Sequence, residues 1–128
     1  MITHKLSFGE ITLLQEDIAE VIVNDRVEFN LEMVAEYHEF LINKMKCPFS
    51  LLINKLNSYT YTFEAQQHLA TLTDINAMAV VSYSNITELT TKSLIQVPRE
   101  INWKIKIFNE REVALQWLQD QQQLRLME

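Results

Sequence analysis

The chain has 128 residues, 48% of them apolar, which is long and apolar enough to bury the core of one domain. Its net charge is −6, and because an acidic surface repels phosphate backbones, nucleic-acid binding is not expected. The single glycine, Gly9, excludes a phosphate-binding loop and a dinucleotide fingerprint, since each motif needs several glycines. We therefore expect no nucleotide hydrolysis and no tight nucleotide binding.

Targeting and cofactor signals are absent from the sequence. No apolar run approaches the roughly 18 residues of a membrane span, and the first ten residues do not resemble a signal peptide. The single Cys47 forbids an internal disulfide, and the three histidines lack metal-ligand spacing. These features predict a soluble, cytoplasmic protein without a cofactor.

The first elements are a predicted β-hairpin and a helix. Residues 6–14 and 18–23 are predicted strands, and the polar residues 15–17 between them suit a hairpin turn. Asn30 is expected to cap a helix over 31–45, which has apolar residues at spacings of three and four.

Two further strands flank a second helix. Pro48 ends the first helix, and the continuously apolar residues 49–53 predict a strand that is buried on both faces. A helix over 63–72, capped by Thr62, is followed by another buried strand over 75–82.

The third helix is predicted over 86–96. Asn85 and Glu88 have the spacing of a capping box, in which each side chain bonds the other residue's backbone N–H. Its predicted inward face consists of Ile86, Leu89, Ser93 and Leu94.

The chain closes with a strand that leads directly into a helix. Residues 101–107 alternate between apolar and polar, which predicts a half-buried strand, and Lys104 and Lys106 indicate the edge of a sheet. Asn109 is the predicted cap of the last helix, with Glu112 reaching back to it, and Trp117 is expected to be buried. The polar residues 119–128 either extend this helix or fray.

The element order is therefore β-β-α-β-α-β-α-β-α in a single domain over residues 1–128. Short alternation of strands and helices predicts an α/β fold with a mostly parallel sheet, an N-terminal hairpin and helices packed on the sheet.

Three segments carry a resemblance to a known family: LLIN at 51–54, AMAVVSYSNITE at 77–88 and KIFNEREVALQWL at 106–118. With the element order, they resemble the STAS domain, the fold of the anti-sigma-factor antagonists. The SpoIIAA-like branch, which is related to Sec14-type lipid-binding domains, is the closer match. The resemblance covers about residues 6–120 and implies the same fold.

One feature of the antagonists is missing. They carry an acidic residue at the end of the third strand and an Asp-Ser pair that opens the next helix, and the serine is a phosphorylation switch. Here the strand ends in Asn54, and the helix opens with residues 61–64, Tyr-Thr-Phe-Glu. The resemblance therefore does not carry the switch over, although Ser58, Thr60 and Thr62 occupy the same loop.

The candidate binding site is the sheet edge where the parallel strands end. Loops 54–62, 83–85 and 108–109 should meet there, because ligands and partners of open α/β sheets bind at the carboxyl ends of the strands. Helix N-termini at this edge would favour an anion, and tyrosines would supply contact surface. The candidate residues are Asn54, Asn57, Ser58, Tyr59, Thr60, Tyr61, Thr62, Ser84, Asn85 and Asn109. The alternative is an ordinary loop with a helix cap and half-buried tyrosines.

Other candidate residues have simpler explanations. His38 lacks a catalytic partner in the pattern and suits a hydrogen-bonded core histidine. The acidic pairs Glu16-Asp17 and Glu110/Glu112 suit a solvated turn and a helix start. Met33 and Phe40 widen the apolar face of the first helix, which indicates either an interface or a pocket, or a helix covered by loops.

The leading hypothesis is a non-enzymatic, STAS-like regulatory module that binds a protein partner, with a homodimer as one form of that partnership. The alternative is a carrier of a small apolar or lipid-like ligand, which the lipid-binding relatives imply. An enzyme is third, because nucleophile, metal and glycine signatures are missing. An enclosed apolar pocket would favour the carrier, and a filled core with an exposed aromatic patch would favour the interaction module.

Overall fold

The structure is a computed structural model that describes residues 2–127. Its elements in chain order are β1 (Ile2–Leu6), β2 (Gly9–Gln15), β3 (Ile18–Val23), β4 (Glu28–Phe29), α1 (Leu31–Lys44), β5 (Phe49–Asn54), β6 (Thr60–Tyr61), α2 (Phe63–His68), β7 (Ile75–Val81), α3 (Asn85–Ile95), β8 (Ile105–Phe108) and α4 (Arg111–Leu126).

Six strands form the main sheet, in the order β1-β2-β3-β5-β7-β8. Strands β3, β5, β7 and β8 are parallel, whereas β1, β2 and β3 are antiparallel neighbours. The predicted α/β class with a mainly parallel sheet is confirmed. The sheet as a whole is mixed, because its N-terminal strands are antiparallel. Strand β8 lies at an edge, as Lys104 and Lys106 predicted.

The prediction of one strand over 6–14 was wrong, because the chain turns between β1 and β2. Phe8 occupies this turn and is fully buried, so an apolar residue in the turn made the segment look like a continuous strand. Gly9 follows at a close approach of two strands, and a Cβ atom there would collide with the carbonyl oxygen of Ile22. The close pairing of β2 with β3 at this point therefore depends on the one glycine of the chain.

Helices cover both faces of the sheet, and side chains alternate between the two cores. Alternate residues of β5 and β7 pack against Ala114 and Leu118 of α4, and the others face α1 and α2. The α4 core contains Ile18, Leu52, Ala77, Ala79 and Val81, whereas the opposite core contains Val21, Leu51, Met78, Val34, Tyr37 and Leu41.

Strands β4 and β6 form a small parallel sheet that the sequence pattern did not predict. Two residues per strand are too short to show a period of two. This sheet joins the chain before α1 to the loop after β5, and Phe29 within it is buried.

The predicted caps of α1 and α2 are confirmed. The amide of Met33 donates to the side chain of Asn30, and the amide of Ala65 donates to Thr62. Helix α2 ends at His68 rather than at residue 72, because Ala70 has a left-handed φ of 53°.

Helix α3 differs from the prediction in its cap and in its buried face. Ser84 is the N-cap instead of Asn85, and it accepts a hydrogen bond from the amide of Thr87. Ile86 and Leu89 were expected to face the core, but they are 75% and 63% exposed. The buried side chains of α3 are Thr91 and Leu94.

The closing strand and helix were predicted in type but not in detail. Strand β8 begins at Ile105, since Trp103 donates a hydrogen bond from Nε1 to the carbonyl of Ala70 instead of joining the sheet. The N-cap of α4 is Glu110, without a side-chain cap bond, so the predicted Asn109 cap was wrong. Trp117 is half-buried against the ring of Phe108, at 5.6 Å between centroids, rather than fully buried.

The polar end of α4 is helical to Leu126 and is anchored by Gln122. This buried side chain accepts hydrogen bonds from Ser50 and Asn76 and donates to Asp17 and to the carbonyl of Pro48. The second half of α4 is thereby tied to three separate parts of the chain.

Candidate functional site

The predicted strand-end edge exists in the structure. Asn54, Val81 and Phe108 end β5, β7 and β8 and lie opposite one another in the register of the parallel strands. The amide of Lys55 donates to the carbonyl of Val81, and the amide of Ser82 donates to that of Phe108. The three loops therefore leave the sheet side by side.

Asn54 is buried at the point where two of these loops leave the sheet. Its Oδ1 accepts a 2.7 Å hydrogen bond from the hydroxyl of Tyr83, and its Nδ2 donates to Glu20 Oε2 at 2.8 Å. The side chain is only 5% exposed. The predicted binding residue Asn54 therefore lies in a buried hydrogen-bond network that holds the edge together.

An ion pair beneath the edge was not predicted. Arg111 binds both carboxylate oxygens of Glu20, at 2.8 and 2.9 Å. These hydrogen bonds hold the pKa of Glu20 below its ordinary value, against the opposing effect of burial. The signal in the sequence was an acidic residue in the middle of the apolar strand IAEVIV.

The predicted site residues of the loop after β5 are partly structural and partly exposed. Asn57 donates to the carbonyl of Val23, and Thr62 caps α2, so both are structural. Ser58 and Thr60 are exposed.

Tyr59 and Tyr61 point inward instead of supplying contact surface. They are half-buried against the core, their hydroxyls lie 3.3 Å apart, and burial raises the pKa of both. The exposed tyrosine of this edge is Tyr83, at 51% exposure.

The start of α3 separates two surface depressions. The first is a polar groove of about 530 Å³, lined by Ser82, Tyr83, Ser84, Asn85, Glu88, Ile107, Phe108 and Asn109. The second, which we call the outer cleft, has about 340 Å³ and is lined by Arg26, Val27, Lys55, Asn57, Ser58, Tyr59, Thr60, Ile86, Thr87 and Thr90. The predicted residues Ser84, Asn85 and Asn109 thus lie together at the groove, and Asn57, Ser58 and Thr60 lie together at the cleft.

Lys55 is another residue near the site that sequence reasoning missed. It directly follows an apolar strand and is only 9% exposed. Its Nζ lies 5.4 Å from the ring centroid of Tyr59 and 5.5 Å from that of Tyr61, within cation–π range. Burial lowers its pKa to about 8.

The core on the side of α1 encloses only a small cavity. Its volume is about 40 Å³, and its wall is mainly apolar, with Lys55 among the lining residues. Small-molecule sites usually have 300 Å³ or more, so this cavity has room for a few water molecules at most.

The other residues discussed from the sequence have structural positions. His38 Nε2 accepts a hydrogen bond from the amide of Ala70, as expected for a core histidine. Met33 and Phe40 pack on the core, and the Phe40 ring contacts that of His4 in β1. Phe40 of α1 is therefore partly covered by the N-terminal strand, whereas Leu31 and Ile42 of the same helix are 47% and 57% exposed.

The described residues carry neither a membrane-spanning helix nor a cluster of metal ligands. Between residues 2 and 127, no helix combines the length and apolar character needed to cross a bilayer. Within the same part of the chain, no three His, Cys, Asp or Glu side chains are grouped so as to hold a metal ion.

Fold and site together define an α/β domain with a mainly parallel sheet and polar loops at its strand ends. The chain belongs to the family described as Domain of unknown function (DUF7793), whose model matches residues 8–122. No curated protein and no solved structure gives a significant match to the chain.

Proposed function

We propose that this protein is a non-enzymatic, STAS-like interaction module that binds a protein partner beside the strand ends. The proposed contact surface, here called the α3 surface, consists of Tyr83, Ile86 and Leu89. It lies between the polar groove and the outer cleft.

The exposure of α3 carries this proposal. Ile86 and Leu89 are three residues apart, lie on neighbouring positions of the helix and are more than 60% exposed. Tyr83, two residues before the start of the helix, is half-exposed. Clustered apolar and aromatic side chains with a polar rim are typical of protein-binding surfaces. Asn85, Thr90 and Asn109 supply polar groups around this surface.

The small core cavity favours the interaction module over the carrier. A carrier must enclose most of its ligand, and a cavity of about 40 Å³ is too small for a lipid chain.

An affinity capture from the native host tests the proposal with variants of the α3 surface. We expect Ile86→Asp/Leu89→Asp to weaken binding of the captured partner at least about tenfold, because two apolar anchors would be replaced by charges. Leu124→Asp/Leu126→Asp is the control, since these two apolar residues of α4 are also exposed, at 55% and 68%.

Circular dichroism should show that all variants remain folded. If the Ile86→Asp/Leu89→Asp variant retained full binding while Phe40→Ala lost it, the interface would lie on α1 and the proposal would be wrong.

A further inference from the structure

The Lys55 side chain is nearly buried, at 9% exposure, and its ammonium has no acceptor among the described residues. No described residue forms an ion pair or a side-chain hydrogen bond with it, and the nearby groups are the rings of Tyr59 and Tyr61. An ammonium has three donors, and leaving them unpaired in a buried place is unfavourable. The described part of the chain therefore provides no hydrogen-bond acceptor for the Lys55 ammonium.

The outer cleft gives this ammonium access to a ligand. Lys55 and Tyr59 line both the core cavity and the cleft, so the lysine lies at the boundary between them. Burial lowers the pKa of Lys55 only to about 8, so the group is still mostly protonated at pH 7.

The cleft is suited to an anion in a protein that is acidic as a whole. None of the described residues that line it is acidic, although the net charge of the chain is −6. The hydroxyls of Ser58 and Thr60 make no hydrogen bond to another described residue. The adjacent Asp25 is already paired, because it accepts the amide of Ser58 at 3.0 Å and lies 3.8 Å from Nε of Arg26.

We propose that the outer cleft binds an oxyanionic group, a phosphate or a carboxylate, with Lys55 as its main counter-charge. Arg26 at the mouth and the hydroxyls of Ser58 and Thr60 supply further donors. Charge-assisted hydrogen bonds of this kind are stronger than neutral ones. The inference is independent of the proposed protein-binding function, because it rests on the cleft alone.

An NMR titration of the isotopically labelled full chain tests it. Inorganic phosphate and acetate are added separately, with sodium chloride holding the ionic strength constant. We expect saturable shifts of the amides of residues 57–60 and 86–90 and of the Lys55 Cε resonance, with a Kd of about 1 mM or tighter for at least one anion. The anion with the lower Kd shows whether the cleft prefers a phosphate or a carboxylate.

Two variants assign the binding to the cleft. Lys55→Met should weaken it at least about tenfold, whereas Lys92→Met, at an exposed lysine of α3, should leave it unchanged. Arg26→Asn should weaken it about twofold to fivefold, and asparagine tolerates the positive φ of 65° at this position.

Two results would overturn the inference. One is the absence of saturable shifts with both anions. The other is saturable binding that Lys55→Met does not weaken, since Lys55 would then not be the counter-charge of the anion.

Discussion

Replacing Lys55 by methionine should stabilise the protein, because the native state buries a positive charge without an acceptor. The pKa of Lys55 falls from an ordinary value of 10.5 to about 8 in the folded chain. Each unit corresponds to about 1.4 kcal/mol, so keeping this charge at neutral pH costs about 3 kcal/mol of stability. Methionine has a similar length and fills the site without a charge. We expect the free energy of unfolding at pH 7.5 to rise by about 2–3 kcal/mol in urea denaturation.

The pH dependence of the free energy of unfolding of the wild type provides an independent measure of the cost of the Lys55 charge. Between pH 7.5 and 9.5 the folded chain loses the Lys55 proton while the unfolded chain keeps it, so stability should increase with pH, by about 2 kcal/mol. Lys55→Met should lack this increase. Above pH 10 the sign reverses, because burial raises the pKa of Tyr59 and Tyr61 and only the unfolded chain ionises these tyrosines.

Lys92→Met serves as the control, since Lys92 is more than half exposed and should change stability by less than about 0.5 kcal/mol. If Lys55→Met destabilised the protein by more than about 1 kcal/mol and kept the wild-type pH dependence, the ammonium would be well paired, and the reasoning would be refuted.

Three further predictions concern the structural polar groups and the α4 core. Arg111→Met should cost about 3 kcal/mol of stability, because it leaves the buried carboxylate of Glu20 without its cation. The wild type should lose stability as the pH falls below about 4.5, because the pKa of Glu20 is lower in the folded chain than in the unfolded chain. Acid titration of both proteins should show a smaller loss in the variant. Leu118→Ala should lower the free energy of unfolding by about 3 kcal/mol, and by more than Trp117→Ala, because Leu118 is fully buried. Chemical denaturation of both variants checks this ranking, and a larger effect of Trp117→Ala would contradict it. Gln122→Leu should lower the melting temperature and cost about 2–3 kcal/mol, whereas Gln123→Leu at an exposed position should be nearly neutral; equal effects would disprove the anchoring role of Gln122.

Local chemistry made much of the fold predictable. Asn30 and Thr62 were correctly identified as caps, because an oxygen-bearing side chain at a helix start can accept a backbone amide. The same reasoning placed the caps of α3 and α4 one residue away from their positions in the structure. The strand ends at Asn54, Val81 and Phe108 could be placed together because parallel strands with short crossovers share one carboxyl edge.

Helical spacing could not decide which face of α3 is buried. Ile86 and Leu89 have the spacing of a core stripe, yet they are exposed, while Thr91 is buried and donates its hydroxyl hydrogen bond to the carbonyl of Thr87. Periodicity identifies an apolar face but does not show whether another element of the same chain covers it.

The charged residues of the site were missed for a related reason. Glu20 and Lys55 lie within or next to apolar strands, and charged residues are usually exposed unless they are paired. The partner of Glu20 is Arg111, 91 residues further along the chain, so only the tertiary structure reveals the pair. For Lys55 the structure provides two tyrosine rings and an open cleft instead of a carboxylate.

Native mass spectrometry of the protein purified from its own host tests the proposed function most directly. If the protein is an interaction module, a protein partner or a second copy of the chain should remain bound to the wild type and be lost from Ile86→Asp/Leu89→Asp. A monomer that carries a small apolar molecule and no protein partner would contradict the proposal and would favour a carrier.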